Sequence, residues 1–161
     1  MPDHVRTTIR DTVVTLLTGL QTTGSRVYAG RTRALAEGHD PTLLIYTRRD
    51  RRWQDGDTMR GDNPIAGRDL TLIVEARVTK TGATAAADAE DALDQIENEV
   101  IPPLINAILS EAGALRALAT TITWEGSEIE VAAEGERHIG MNRMEFSVLY
   151  RIRENAPSVP A

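Results

Sequence analysis

Three histidines and a large set of carboxylates are the groups in this 161-residue chain best suited to chemistry. A catalytic histidine needs a nucleophile or an orienting carboxylate within hydrogen-bond reach, and a metal-binding one needs partner ligands at a fixed spacing. His4, His39 and His138 fall on separate segments with no such spacing. His39-Asp40 could form an oriented base, but it precedes Pro41 in a turn with no nucleophile motif nearby, and reads better as a polar loop. Asp91, Asp94 and Glu97 recur every three residues and suggest a divalent-metal face. Steps of three drift around a helix of about 3.6 residues per turn, however, and no second acidic motif completes an oxygen cage. These acids read as a solvated face or as a surface for a partner's arginines. With no cysteine, thiol catalysis, disulfides and cysteine-ligated zinc are absent. "GSRVYAG" lacks the spacing of a nucleotide fingerprint, and "EGERHIG", with Gly135 and Gly140, reads as a hairpin connection. No catalytic, cofactor-binding or metal-ligating residue is assigned, and the expectation is a protein without enzymatic activity or cofactor.

The stretch Arg48 to Arg68, "RRDRRWQDGDTMRGDNPIAGR", carries a different kind of chemistry. It joins two strand-like segments, and its central part, residues 50–67, reads as a long loop of the kind that is usually functional or disordered. Arg48, Arg49, Arg51, Arg52, Arg60 and Arg68 are set among Asp50, Asp55, Asp57, Asp62 and Asp69, so the charge nearly cancels. A phosphate grip wants uncompensated positive potential. An arm of mixed charge suits carboxylates and arginines on a neighbouring protein, and Trp53 is the kind of anchor that interfaces favour. Arg51 and Arg52 are the expected partners of a neighbour's carboxylates, with Asp91 and Asp94 of the acidic helix as candidates. A mobile solvated arm is the alternative.

The elements that position these groups follow from periodicity. Val5, Ile9, Val13, Leu16, Leu17 and Leu20 recur at helical spacing, with Asp3 as N-cap and "QTTGS" as the stop. "RVYAG" and "PTLLIYTR" read as strands, and "DLTLIVEARVTK" alternates with Leu70, Leu72, Val74, Ala76 and Val78 on one face. A second helix carries Ala85, Ala89, Ala92, Leu93, Ile96 and Val100, and Pro102-Pro103 predicts a break before a short continuation. "TTITWEG", "SEIEVAAEG" and "MNRMEFSVLYRIR" read as three more strands. Ile73 and Leu149 break the alternation on the outer face and suggest a small contact patch. The order predicts an α+β domain: a mostly antiparallel, or mixed, β-sheet with two main α-helices packed on one face. One domain spans residues 1–153, and 154–161 reads as a mobile tail.

Composition narrows the class. A net charge of −6 argues against a general nucleic-acid binder. No run approaches the roughly 20 apolar residues of a membrane span, and the expectation is a soluble protein needing no oxidising compartment. All but one of the basic side chains are arginine, Lys80 being the exception, and arginine suits interfaces as well as GC-rich coding.

The phrases "VRTTIRDTVVTLLTGLQTTGSRVYAGRTRAL", "PTLLIYT", "LTLIVEARV", "DALDQIENEV" and "GSEIEVAAEGERHIGMNRMEFSVLYRI", in that order, resemble the tail terminator proteins of long-tailed bacteriophages, the minor tail protein U type. The resemblance covers nearly the whole chain and includes no catalytic signature. It implies a homo-oligomer, a hexameric ring, at the head-proximal end of the virion tail. Such a ring stops growth of the tail tube, joins it to the head-tail connector, and lets DNA pass without specific binding. It also implies assembly in the host cytoplasm, with no membrane and no cofactor. Another neck adaptor or tail completion protein fits the same features, and a small enzyme with a site under the long loop remains a third reading.

Overall fold

The computed structural model of the chain describes residues 3–30, 40–58 and 64–161. Helix α1 (Val5–Leu17) leads through a turn to strand β1 (Val27–Ala29). Strands β2 (Thr42–Arg52) and β3 (Ile65–Thr81) follow, then helix α2 (Ala85–Leu109) and strands β4 (Thr121–Glu134), β5 (Arg137–Arg153) and β6 (Ala156–Pro160). The six strands make one sheet in the order β1-β2-β3-β5-β4, with β6 paired to β5. The sheet is mixed: β1 runs parallel to β2, and every other pairing is antiparallel.

The α+β class and the two helices agree with the sequence, but several boundaries do not. His4, not Asp3, is the N-cap of α1: its Nδ1 accepts the Arg6 N–H at 3.1 Å. Burial first, and the neighbouring Arg6 second, lower the His4 pKa. That favours the neutral imidazole, the form whose nitrogen can accept. Helix α2 continues through Pro102 and Pro103 without the expected break. Tertiary packing outweighs the two missing backbone donors, since Ile96, Val100 and Leu104 are fully buried on either side of them. The segments "TTITWEG" and "SEIEVAAEG" form one strand, β4, with a bulge between Trp124 and Gly126. Gly140 lies inside β5, so the hairpin turn is shorter than expected. Its missing side chain lets α2 approach: a Cβ there would stand 3.1 Å from Leu93 Cδ1 and 3.3 Å from Ala89 Cβ.

The expected loop 50–67 is strand at its two ends, because β2 runs on to Arg52 and β3 begins at Ile65. The tail expected to be mobile supplies β6.

One connected apolar cluster contains Val5, Ile9, Val13 and Leu17 of α1 and Ala89, Leu93, Ile96 and Val100 of α2. It also holds Leu43, Ile45, Leu70, Leu72, Val74, Met144, Phe146 and Val148 from one face of the sheet, here called the core face. Each fully buried aliphatic side chain contributes roughly 1.5–3 kcal/mol. A smaller cluster of Leu44, Tyr46 and Ile73, with Tyr28 against it, occupies the opposite or outer face. Ile73 is therefore 0% exposed, and the proposed Ile73–Leu149 surface patch does not form. Leu149 is half-buried and paired with Asp69 and Thr121, whereas Ile73 is paired with Glu145, further along β5.

Candidate assembly surface

The arginine-rich stretch is shaped by a β-bulge. Strand β2 pairs Thr47 with Leu72 and then Arg49 with Thr71, leaving Arg48 as an extra residue. Absorbing that residue keeps Arg49 and Arg51 on the outer face and turns Asp50 onto the core face, opposite Leu70. The Asp50 side chain is 6% exposed and meets three partners from separate elements. The Tyr150 hydroxyl donates to it at 2.8 Å, Arg68 Nε lies 3.2 Å away and Arg6 of α1 is 3.7 Å away. Burial first, then the Asp50 carboxylate, raise the Tyr150 pKa.

Beyond Arg52 the chain makes a 3-10 turn (Gln54–Gly56), and Thr58 pairs with Ile65. Trp53 is half-buried, with the Arg151 guanidinium 5.7 Å from its ring centroid. The Trp53 N–H donates to the Gly67 carbonyl at 2.8 Å. A methyl at Gly67 would collide with the Trp53 carbonyl and stand 2.7 Å from Gly56 Cα, so the turn can close only on glycine. Arg52 bonds Asp57 at 2.8 Å and reaches Glu154 at 3.2 Å. That bond from Arg52, with the Gly67 N–H second, lowers the Asp57 pKa. Arg52 and Trp53, expected to engage a neighbour, are thus engaged within the chain.

Arg48 spans the outer face to Glu145 at 3.5 Å. Arg49 and Arg51 are exposed, and no ion pair joins either to a described residue. Arg60 lies outside the described residues, as does His39. Asp91 and Asp94 are exposed on α2, and no ion pair links them to the arginines among the described residues. Two other acids of that helix hold the fold together. Glu99 accepts both the hydroxyl and the N–H of Thr22, at 2.6 and 3.0 Å, and Glu97 accepts the Asn142 amide at 2.7 Å. Burial works against the Glu99 charge, but the Thr22 bonds outweigh it and the pKa is lowered. No group of three or more His, Cys, Asp or Glu is placed to hold a metal ion among the described residues. No helix is long and apolar enough to cross a membrane among those residues.

Three features escaped the sequence reading. Glu75, 2% exposed on the outer face, accepts Arg77 Nε at 2.7 Å and the Tyr46 hydroxyl at 2.9 Å, with Arg143 Nε 3.5 Å away. In the sequence it is one polar residue in an alternating strand, and nothing local signals its burial. The second feature is β4, a 14-residue strand at one edge of the sheet whose outward side has no strand partner among the described residues. It exposes Trp124 and Ile129, at 42% and 43%. The third is its charge: Glu125, Glu128, Glu130 and Glu134 with no basic residue, a bias that was visible in "WEGSEIEVAAE".

No protein-family model matches the chain, and no curated protein matches it. Among solved structures it is similar to a chain in one described as the virion of a native gene transfer agent particle. The identity is 12%, the TM-score 0.37, and 91% of each chain is covered. A likeness this loose assigns neither topology nor role.

Proposed function

We propose that the chain is a structural virion protein that assembles into a ring at the head-proximal end of a phage-type tail tube. There it ends tube growth and provides the joint to the head-tail connector. The observation that carries the reading is the long β4 edge, unpaired among the described residues, with exposed Trp124 and Ile129. A long edge strand is a liability for a free monomer, and an exposed tryptophan beside it is what a protein-protein contact buries. The resemblance in the sequence supplies the particular role, and the acidic balance suits a channel that DNA crosses without sticking. The chemistry belongs to the contacts, with no catalysis and no cofactor in the role.

Purified tail tubes, incubated with the protein and viewed by electron microscopy, test it. The expected result is density at one end of each tube and arrest of further tube-subunit addition. Binding to isolated portal complexes, with tube ends left bare, would instead identify a neck adaptor. Failure to bind either would end the proposal.

A further inference from the structure

Among the described residues the sheet is open at both sides, and the two openings carry opposite charge on the same face. On one side, β1 covers only Leu43 to Ile45 of β2, so the length from Thr47 to Arg52 has no described strand beyond it. Its outer face presents Arg49 and Arg51. On the other side β4 presents Glu128, aligned with outer-face Arg143, and Glu130, aligned with Met141. Glu128 is 67% exposed and touches Arg143 only at 3.5 Å, and Glu130 has no ion pair among the described residues. Strands β2 and β4 run in opposite directions within the sheet, because three antiparallel steps separate them.

These facts select one way for two copies to join. Set side by side the same way up, β4 of one copy lies antiparallel to the free length of β2 of the next. In a single register Arg49 then meets Glu130 and Arg51 meets Glu128, both on the outer face. Opposite charges across a strand pair stabilise it, and like charges destabilise it. Joining β4 to β4 would set glutamates against glutamates, and joining β2 to β2 would set arginines against arginines. Two-fold dimers through either edge are disfavoured, and head-to-tail addition is favoured, which closes into a ring or continues as a filament.

We infer that a second copy of this chain docks its β4 edge on the free half of β2, through an Arg49–Glu130 and Arg51–Glu128 ladder. The inference deepens the ring proposal by naming the lateral contact, and it would hold for a ring of any function.

Charge swapping tests it. The variants R49E/R51E and E128K/E130K each carry one sign of charge on both edges. Native mass spectrometry of the wild type should show oligomers larger than dimers that dissociate as salt is raised. Each variant alone should be at least tenfold weaker in assembly, and an equimolar mixture should recover oligomers with an even number of alternating copies. The neutral variant R49Q/R51Q should weaken assembly without recovery on mixing, and thermal melts should show each variant folded. Recovery in the mixture supports the ladder, because a damaged fold could not produce it. A wild type that is monomeric at all concentrations, a salt-independent dimer, or mixtures no better than their components would overturn it. The tube assay separates the two proposals: oligomers that fail to cap tubes leave the ladder standing and remove the role. Capping by variants that should not assemble removes the ladder alone.

Discussion

Glu75 sits almost out of water between two arginines and a tyrosine, and its carboxylate is worth keeping only because all three engage it. Removing one partner of a buried pair typically costs about 3–5 kcal/mol, because the remaining charge stays desolvated. Here both guanidinium side chains are about one-third exposed, so the loss should be smaller. Glu75→Gln is expected to lower unfolding free energy by about 2–3 kcal/mol in urea titrations. A change within a few tenths of the wild type would show that the arginines relax into solvent. The tyrosines make a second prediction. Burial raises the pKa of both Tyr46 and Tyr150, assisted by Glu75 and Asp50 respectively. The folded chain therefore holds these phenolic protons above the unfolded value near 10, and their stabilisation is complete below that pH. It is lost as pH rises beyond it, so the melting temperature should fall from about pH 10 upward. The double variant Y46F/Y150F should show a shallower fall over the same range.

At the scale of elements, the hairpin from β2 to β3 depends on two glycines that let backbone meet backbone under Trp53. Gly67→Ala forces the Trp53 carbonyl and Gly56 apart. Overpacking of this kind costs about 1–3 kcal/mol, and the change should also red-shift tryptophan emission as Trp53 loses its seat. The bulge at Arg48 gives a prediction of the opposite sense. Deleting Arg48 should yield a regular ladder in which Arg49, Asp50 and Arg51 keep their faces, so the variant should fold, at a cost of about 1 kcal/mol or less from the lost Glu145 contact. Circular dichroism and thermal melts check both. The elements also mark where sequence reading stops. The β3 and β5 ladders were legible because every second residue along them is apolar on the core face, and α1 because its stripe repeats at helical spacing. The continuity of α2 through two prolines was not legible, because long-range burial of Val100 and Leu104 decides it. Ile73 looked exposed because alternation cannot show that the outer face has a cluster of its own. Arg52 looked available because Asp57 reaches it only once the β2–β3 connection folds back, and Glu154 only when β3 and β5 pair.

For the molecule as a whole, most pairings join distant parts of the chain, as when Ile65 meets Arg153. Folding with such contacts is slow, and refolding followed by tryptophan fluorescence should take milliseconds to seconds, not microseconds. The same arrangement collects unlike surfaces at the two ends of the strands. At one end lie Trp53, Ile65, the start of β4 and strand β6; at the other lie Thr81, Arg137 and the Gly135 turn. A chain built this way has a top and a bottom that share no residue. Copies joined flank to flank all stand upright together, so a closed circle of them inherits two dissimilar rims. In the ring proposed above, one rim would be free to seat the end of the tube while the other, built from different residues, faces away from it.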